Sequence, residues 1–241
     1  MRTVMFKKIL IALLFSPLAA LAAGGSIKLD RAPDRASDQA ALQNGAKLFV
    51  NYCLNCHGAS FVRYNRLKDI GLTEQQIKDN LMFTAEKIGE PMGIPMSRKD
   101  AKEFFGAWPP DLSLIARARA SGDGSGADWL YTYLRGFYQD EKRPTGWNNI
   151  AFDSVGMPHV LWELQGDQVM DADHKLTLAK PGKLSPREYD DAVADLVAFM
   201  VWMAEPQADF RVRLGIAVLL FLGVFFVIAY AMKRAFWKDL H

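Results

Sequence analysis

The five residues from Cys53 to His57 read CLNCH, and Cys53 and Cys56 are the only cysteines in the 241-residue chain. C-x-x-C-H is the pattern by which a c-type haem is attached. Thiols three residues apart lie about one helical turn from each other, so both can reach the vinyl groups on one edge of a porphyrin. The adjacent histidine can then present an imidazole nitrogen to the iron. The motif predicts one covalently bound haem c, with Cys53 and Cys56 as attachment points and His57 as an iron ligand.

Other uses of this cysteine pair are less well supported by the sequence. A thioredoxin-like redox centre needs a βαβ setting, whereas the residues around the pair show a helical pattern with no strand beside them. A structural zinc site commonly takes four protein ligands, and the remaining histidines of this chain lack zinc-like spacing. A disulfide within the pair would close a very small loop and stabilise the fold little. A thiol-redox or zinc-binding module remains the remote alternative.

Residues 1–23 have the pattern of a secretory signal peptide. Three basic residues precede an apolar run that starts at Ile9, and the segment ends in ALAA, a small-residue cleavage site. A retained N-terminal anchor is the alternative, but the run is only about 15 residues long and Pro17 interrupts it. We therefore expect residues 24–210 to form a haem domain in the periplasm.

A second apolar segment, near the C-terminus, is long enough to cross a bilayer. The 19 residues from Leu214 to Met232 carry no charge, and as a helix they extend ~28 Å. A buried core helix is the alternative. We predict a transmembrane anchor at 211–233 and a cytoplasmic tail at 234–241, which makes the chain a single-pass protein of the cell inner membrane.

The charge of the exported region points to a class of partner. The whole chain has a formal net charge of +2, but residues 24–210 carry about −5. An acidic electron-transfer domain suits a basic soluble partner, because opposite potentials steer brief encounters.

The exported region, about 187 residues, is long enough for one domain with a substantial core. Apolar periodicity, capping residues and turn residues predict its local structure. We expect helices at 37–52, from Thr73, and from Ser185 to near Pro206, a short hairpin within 169–178, and a flexible surface loop at 121–126.

A methionine sulfur opposite the histidine would give the haem iron a higher reduction potential than a second histidine. The candidates outside the two apolar ends are Met82, Met92, Met96, Met157, Met170, Met200 and Met203. Met200 and Met203 lie on the predicted last helix and are expected in the core or at an interface. Local features favour Met157, because the adjacent Pro158 would stiffen the ligand loop. Met92 and Met96, in a Pro/Gly-rich loop, remain competitors.

Four further segments are similar in residues and in order to those of one protein family. By them the chain resembles the cytochrome c1 family, the haem-bearing subunits of the cytochrome bc1 complex. The segments are WPPDLSLIARAR at 108–119, YLRGF at 133–137, AEP at 204–206 and YAMKR at 230–234. The resemblance implies that Met157 is the sixth iron ligand, that Arg119 contacts a haem propionate, and that Pro109 and Pro110 line the haem crevice. It covers nearly all of the mature chain.

The chain departs from the family pattern at two positions near these residues. Trp129 stands where a tyrosine is expected near a propionate. His159 follows Pro158 where the family commonly has a second proline. Neither position is an expected iron ligand.

The sequence thus predicts a mainly α-helical, cytochrome c-like haem domain with long loop insertions, plus one C-terminal transmembrane helix. By resemblance, the chain takes electrons from a Rieske iron–sulfur protein and passes them to a cytochrome c, beside a cytochrome b subunit in the lipid bilayer. It is then an electron-transfer subunit of quinol–cytochrome c oxidoreductase and no enzyme on its own, and nucleic acid is not an expected partner. The nearer alternative is another membrane-anchored monohaem cytochrome, such as an oxidase-associated carrier.

Overall fold

A computed structural model describes residues 28–238. The predicted signal peptide therefore lies outside the described residues, as do the last three residues of the predicted tail. The chain forms two compact units that divide between Ala204 and Glu205.

The first unit is mainly α-helical, as predicted, and carries three small antiparallel sheets within its described part. The helices are α1 Gln39–Leu48, α2 Glu74–Asn80, α3 Arg98–Phe105, α4 Ile115–Ala118, α5 Gly126–Arg135, α6 Trp162–Gln165 and α7 Pro186–Ala204. The paired strands are β1 Ala59–Arg63 with β2 Pro91–Met92, β3 Phe137–Gln139 with β4 Trp147–Asn149, and β5 Gly166–Met170 with β6 Leu176–Pro181. A π-helical turn, Phe49–Cys53, follows α1, and a 3₁₀-helix spans Tyr64–Ile70.

Capping residues set the starts of two helices where the sequence predicts them. Thr73 and Gln76 form a complete capping box at α2. At α7 the Ser185 backbone N–H donates to the Glu188 carboxylate at 2.9 Å, and the Glu188 N–H donates to the Ser185 hydroxyl at 3.4 Å. Each pair satisfies backbone N–H groups that the first helical turn leaves without an internal acceptor.

The structure differs from prediction around the cysteine motif. The first helix is shorter than 37–52, because the chain leaves α-helical geometry after Leu48 and enters the π-helical turn that ends at Cys53. The prediction of no strand beside the cysteine pair is wrong, since β1 begins two residues after His57. Burial does not alternate along this strand, and its partner has only two residues. A period-2 sequence pattern, which marks a half-buried strand, is therefore not expected here.

The predicted surface loop at 121–126 is a turn that ends in the first residue of a helix. Ser125 caps α5, and the first helical residue, Gly126, is buried. A Cβ at Gly126 would lie 1.9 Å from the Ala116 carbonyl oxygen. Glycine therefore serves here for the close approach of α5 to α4 and not for flexibility.

The core of the first unit depends on the crossing of α1 and α7, the first and last helices. At Gly45 the backbones are so close that an added Cβ would lie 2.1 Å from the Asp195 carbonyl oxygen and 2.7 Å from the Phe199 Cβ. The rings of Phe49 and Phe199 pack beside this point, with centroids 5.6 Å apart. The Asn44 side-chain amide donates to the Asp195 carboxylate at 2.8 Å.

The second unit consists mainly of α8, Ala208–Trp237. Residues Phe210–Trp237 form a helix that is long and apolar enough to cross a membrane, judged by length and composition. The predicted anchor at 211–233 falls entirely within it.

Replacing Gly45 by alanine tests the helix crossing. We expect Gly45→Ala to destabilise the first unit by about 1–3 kcal/mol, because the methyl group forces α1 and α7 apart. Gly89→Ala is the matched control, since a Cβ there meets nothing within 4 Å. The thermal unfolding midpoint, followed by circular dichroism, should fall only in the first variant, and equal midpoints would contradict the close crossing.

Candidate functional site

A cavity of about 440 Å³ in the first unit brings together residues that are far apart in the chain. Every site residue predicted from the sequence lines it: Cys53, Cys56, His57, Pro109, Pro110, Arg119 and Met157. Most other lining residues are apolar or aromatic, as the faces of a porphyrin require. They include Phe105, Trp108, Leu112, Ile115, Leu130, Leu134, Phe152, Val155 and Val160. The residues present therefore fit a haem with its ring in the cavity.

A tight turn presents the two cysteines. The backbone N–H groups of Cys56 and His57 both donate to the Cys53 carbonyl, at 3.1 and 2.8 Å. Burial raises the pKa of the Cys53 thiol to about 12, with a smaller contribution from Cys56, and burial also raises the pKa of Cys56. Redox-active cysteines of the thioredoxin type have lowered pKa values. These surroundings give the thiol-redox alternative no support.

His57 is oriented by a backbone carbonyl. Its Nδ1 lies 2.7 Å from the carbonyl oxygen of Pro110, and since a carbonyl only accepts, Nδ1 carries the hydrogen. In a neutral ring this leaves the lone pair on Nε2, the arrangement in which histidine binds a metal. Burial lowers the pKa of His57, although the Pro110 hydrogen bond and the charge of Asp111 oppose this shift. The site therefore favours a neutral histidine with Nε2 as the donor atom.

Asp111 ties the segment that follows the two prolines to β1. Its Oδ2 accepts hydrogen bonds from the Ser60 backbone N–H at 2.8 Å and from the Ser60 hydroxyl at 2.7 Å. Its Oδ1 accepts from the Ser113 N–H at 2.9 Å. These bonds hold the Pro110 carbonyl in reach of His57. The sequence alone predicts no separate role for Asp111, although aspartate often accepts a hydrogen bond from the backbone N–H two residues later, in an Asx-turn.

Arg119 projects its charge onto an aromatic wall of the cavity. Its guanidinium carbon lies 4.3 Å from the centre of the Trp129 ring and 5.8 Å from that of Phe152. Such cation–π contacts orient a guanidinium while leaving its N–H groups free to bind a carboxylate. The tryptophan that replaces the expected tyrosine therefore acts as a platform for Arg119.

Among the described residues, two methionines line the cavity: Met157 and Met200. Met92 is instead fully buried in the core and pairs with Ala59 in the small sheet, and Met96 is not in the cavity lining. Met200, which the sequence predicts as a core or interface residue, lies in the core and is only 3 % exposed on α7. The geometry thus replaces Met92 and Met96 by Met200 as the competitor of Met157.

Met157 lies between β4 and α6, and its sulfur accepts a hydrogen bond. The donor is the hydroxyl of Tyr133, 3.4 Å from the sulfur. Burial raises the pKa of Tyr133 above its usual value, with the charge of Arg119 opposing it. The sequence contains no local signal for this contact, because it joins positions 24 residues apart.

His159 fills the place of the family's second proline with a buried ring. It is 2 % exposed, stacks on Phe137 at 4.8 Å between ring centroids and meets Trp147 edge-on at 5.0 Å. Burial lowers the pKa of His159 to about 4, and Gln165 opposes the shift. The ring therefore packs as a neutral aromatic group beside the Met157 segment.

Comparisons with known proteins cover nearly the whole chain. Residues 31–240 match the model of a family described as the Cytochrome C1 family. The chain is 50% identical over 238 residues to the ammonia monooxygenase gamma subunit of Nitrosomonas europaea, covering 98% of this chain and 99% of the relative. It is 45% identical over 249 residues to cytochrome c1 of Allochromatium vinosum, covering 98% and 100%. It is 30% identical over 249 residues to cytochrome b/c1 of Bradyrhizobium diazoefficiens, covering 85% of this chain but 34% of that protein.

The pH dependence of stability tests the role of Asp111. Burial raises the pKa of Asp111, but the hydrogen bonds from Ser113 and Ser60 outweigh it, so the pKa is lowered in the folded protein. Such a carboxylate stabilises the fold above its unfolded pKa of about 3.9, and this contribution is lost as the pH falls through the folded pKa.

We therefore expect the thermal unfolding midpoint of Asp111→Asn to fall less steeply than that of the unsubstituted protein as the pH drops from about 5 to 3. Asp173→Asn, at an exposed turn carboxylate, is the matched control and should keep the full decline. Parallel declines in all three proteins would show that the Asp111 hydrogen bonds do not stabilise the charged form.

Proposed function

The chain belongs to the cytochrome c1 family, and from that premise we propose that it carries electrons from a Rieske iron–sulfur protein to a cytochrome c within a quinol–cytochrome c oxidoreductase. Members of this family carry one covalently bound c-type haem and transfer electrons in a bc1-type complex. The observation that carries the proposal is the convergence of the attachment cysteines, both predicted iron ligands and Arg119 on one apolar cavity.

Different residues of the cavity would attach the cofactor, bind its iron and pair with its propionates. Cys53 and Cys56 would form the two thioether bonds, and His57 would offer Nε2 to the iron. When bound, the haem supplies a one-electron couple between ferric and ferrous iron. The apolar lining excludes water from the ring faces, and Arg119 offers a guanidinium that pairs with a propionate and offsets the cost of burying its charge.

We propose Met157 as the second residue that would hold the iron, together with His57. With two protein ligands the haem would suit electron transfer and not the binding of small molecules. Met157 lies in a stretch without helix or strand, where a side chain can be presented by a loop, whereas Met200 is embedded in α7 and packs in the core. The reaction makes or breaks no bond in a substrate, so the work of the chain is to position the haem.

We further propose the membrane arrangement that the sequence predicts. The signal peptide would place the haem domain in the periplasm, α8 would anchor the chain in the inner membrane, and the C-terminus would face the cytoplasm. The relative described as cytochrome b/c1 supports a cytochrome b subunit as a neighbour. The net charge of about −5 on residues 24–210 supports a basic cytochrome c as the acceptor.

A second candidate differs only in its partner. The 50% identical protein of Nitrosomonas europaea is described as a subunit of ammonia monooxygenase. The same haem residues could serve electron transfer beside a monooxygenase, so the cavity alone does not separate the two functions.

Purification of the full-length chain from its native membranes separates them. We expect a complex that contains b-type and c-type haems in its optical spectrum, together with an iron–sulfur subunit. Monooxygenase subunits in place of these would favour the second candidate. A chain that shows no covalently bound haem by peroxidase staining of a denaturing gel would overturn both.

A pair of methionine variants tests the axial ligand. Met157→Leu should lose the weak near-infrared sulfur-to-iron charge-transfer band and fall in reduction potential, because leucine offers no donor to the iron. Met200→Leu removes the other cavity sulfur with little change of volume and should keep the band. Loss of the band in Met200→Leu alone would assign the ligand to α7 instead.

A further inference from the structure

We propose that Tyr133 positions and tunes the Met157 thioether: its hydroxyl donates a hydrogen bond to the sulfur, fixes the ligand's orientation and raises the reduction potential of the bound iron. This inference rests on the proposed role of Met157 as the axial ligand. Tyr133 itself would not touch the iron, so it is a positioning residue.

The contact has a defined direction. The Tyr133 oxygen lies 3.4 Å from the Met157 sulfur. A thioether sulfur has no hydrogen to give and acts only as a weak acceptor, whereas a phenol is a good donor. The tyrosine therefore donates, and the sulfur gives part of its electron density to the hydrogen bond.

Packing holds the Tyr133 ring in place independently of this bond. Trp129 stacks on one face, with centroids 4.7 Å apart and planes at 13°, and Phe137 meets the ring edge-on at 5.1 Å. The Asn149 side-chain amide donates to the Tyr133 carbonyl at 2.7 Å. A ring packed on two sides, on a backbone that is itself hydrogen-bonded, keeps its hydroxyl at one place, so the donor is pre-organised for the sulfur.

Met157 gains from such support, because Pro158 restrains the backbone beside it but not the direction of its side chain. It lies in a stretch without helix or strand between β4 and α6. Tyr133, by contrast, lies on the regular helix α5 and is 8 % exposed. Trp129 and Tyr133 are four residues apart on α5, so they form one stripe of side chains, and both line the cavity. The same stripe therefore supports both Arg119, through Trp129, and Met157, through Tyr133.

The direction of the effect on the potential follows from ligand chemistry. Ferric iron gains more from electron donation by an axial ligand than ferrous iron does. A hydrogen bond to the sulfur makes it a poorer donor, so it disfavours the ferric state and raises the potential. Removing the hydroxyl should lower it.

Tyr133→Phe tests this in the full-length, haem-loaded protein, because phenylalanine keeps the ring stack and deletes only the hydroxyl. We expect the near-infrared sulfur-to-iron band to persist at a shifted wavelength. We also expect the ferric-to-ferrous ratio at a fixed potential to rise about threefold, which is about 28 mV at 59 mV per tenfold. Tyr131→Phe is the matched control: it lies on the same helix, its ring contacts the Arg135 guanidinium at 4.4 Å, and both readouts should stay unchanged.

A second replacement should change the reduction potential in the opposite direction. It also tests the proposal if Tyr133→Phe does not load haem. Replacing Tyr133 by 3-fluorotyrosine makes the hydroxyl a stronger donor at nearly the same size. The potential should then rise above that of the unsubstituted protein. A potential that stays the same or falls would overturn the proposal.

The outcomes separate the two levels of inference. If Tyr133→Phe leaves band and potential unchanged while Met157→Leu abolishes the band, Tyr133 has no tuning role and Met157 remains the ligand. If Met157→Leu retains the band, the ligand assignment is wrong and the role of Tyr133 is overturned with it.

Discussion

The hydrogen bond from the His57 Nδ1 to the Pro110 carbonyl joins two parts of the chain that are 53 residues apart. It sets the tautomer of the histidine, and through it the nitrogen that faces the cavity. The bond depends on a rigid carbonyl, which the proline ring and the Asp111 hydrogen bonds to Ser60 and Ser113 provide. The attachment motif and the segment that orients its histidine are therefore parts of one structure.

The cysteine motif lines one part of the cavity, and helix α5 lines another. Its first residue, Gly126, lies directly on the Ala116 backbone, and its last turn is bound to α7. There the Tyr189 hydroxyl donates to the Leu134 carbonyl at 2.8 Å, and Arg135 pairs with Asp190 at 2.5 Å. Helix α7 also crosses α1, which leads into the cysteine motif. The motif and α5 are therefore attached to the same core. These contacts connect α5 through α7 to the helix that leads to the attachment point.

Much of this arrangement could be predicted where the signal is local. The CLNCH motif, the capping box at Thr73 and the start of α7 at Ser185 each need only a few neighbouring residues, and the structure contains both capped helices. Contacts between distant segments could not be predicted in this way. From the sequence, Gly126 is predicted to belong to a flexible loop. Only the structure shows that the Ala116 carbonyl lies against it. The helical spacing of Met200 predicts burial, but it does not predict that the buried side chain lines a cavity.

The same limit applies to the residues beside Met157. The family resemblance names the methionine but gives no role to Tyr133 or to the buried His159 ring. Both rings pack on Phe137, which joins α5, β3 and the segment before α6. Such packing depends on tertiary structure, and no local pattern brings position 159 to position 137.

The crossing of α1 and α7 also has a consequence for the speed of folding. Contacts between the first and last helices of a unit close a long loop, so they are costly in entropy and slow the folding of the unit. The core beside the cavity is complete only when residues up to Ala204 are present. A chain that ends before α7 would therefore contain the whole cysteine motif but lack the helix against which α1 packs.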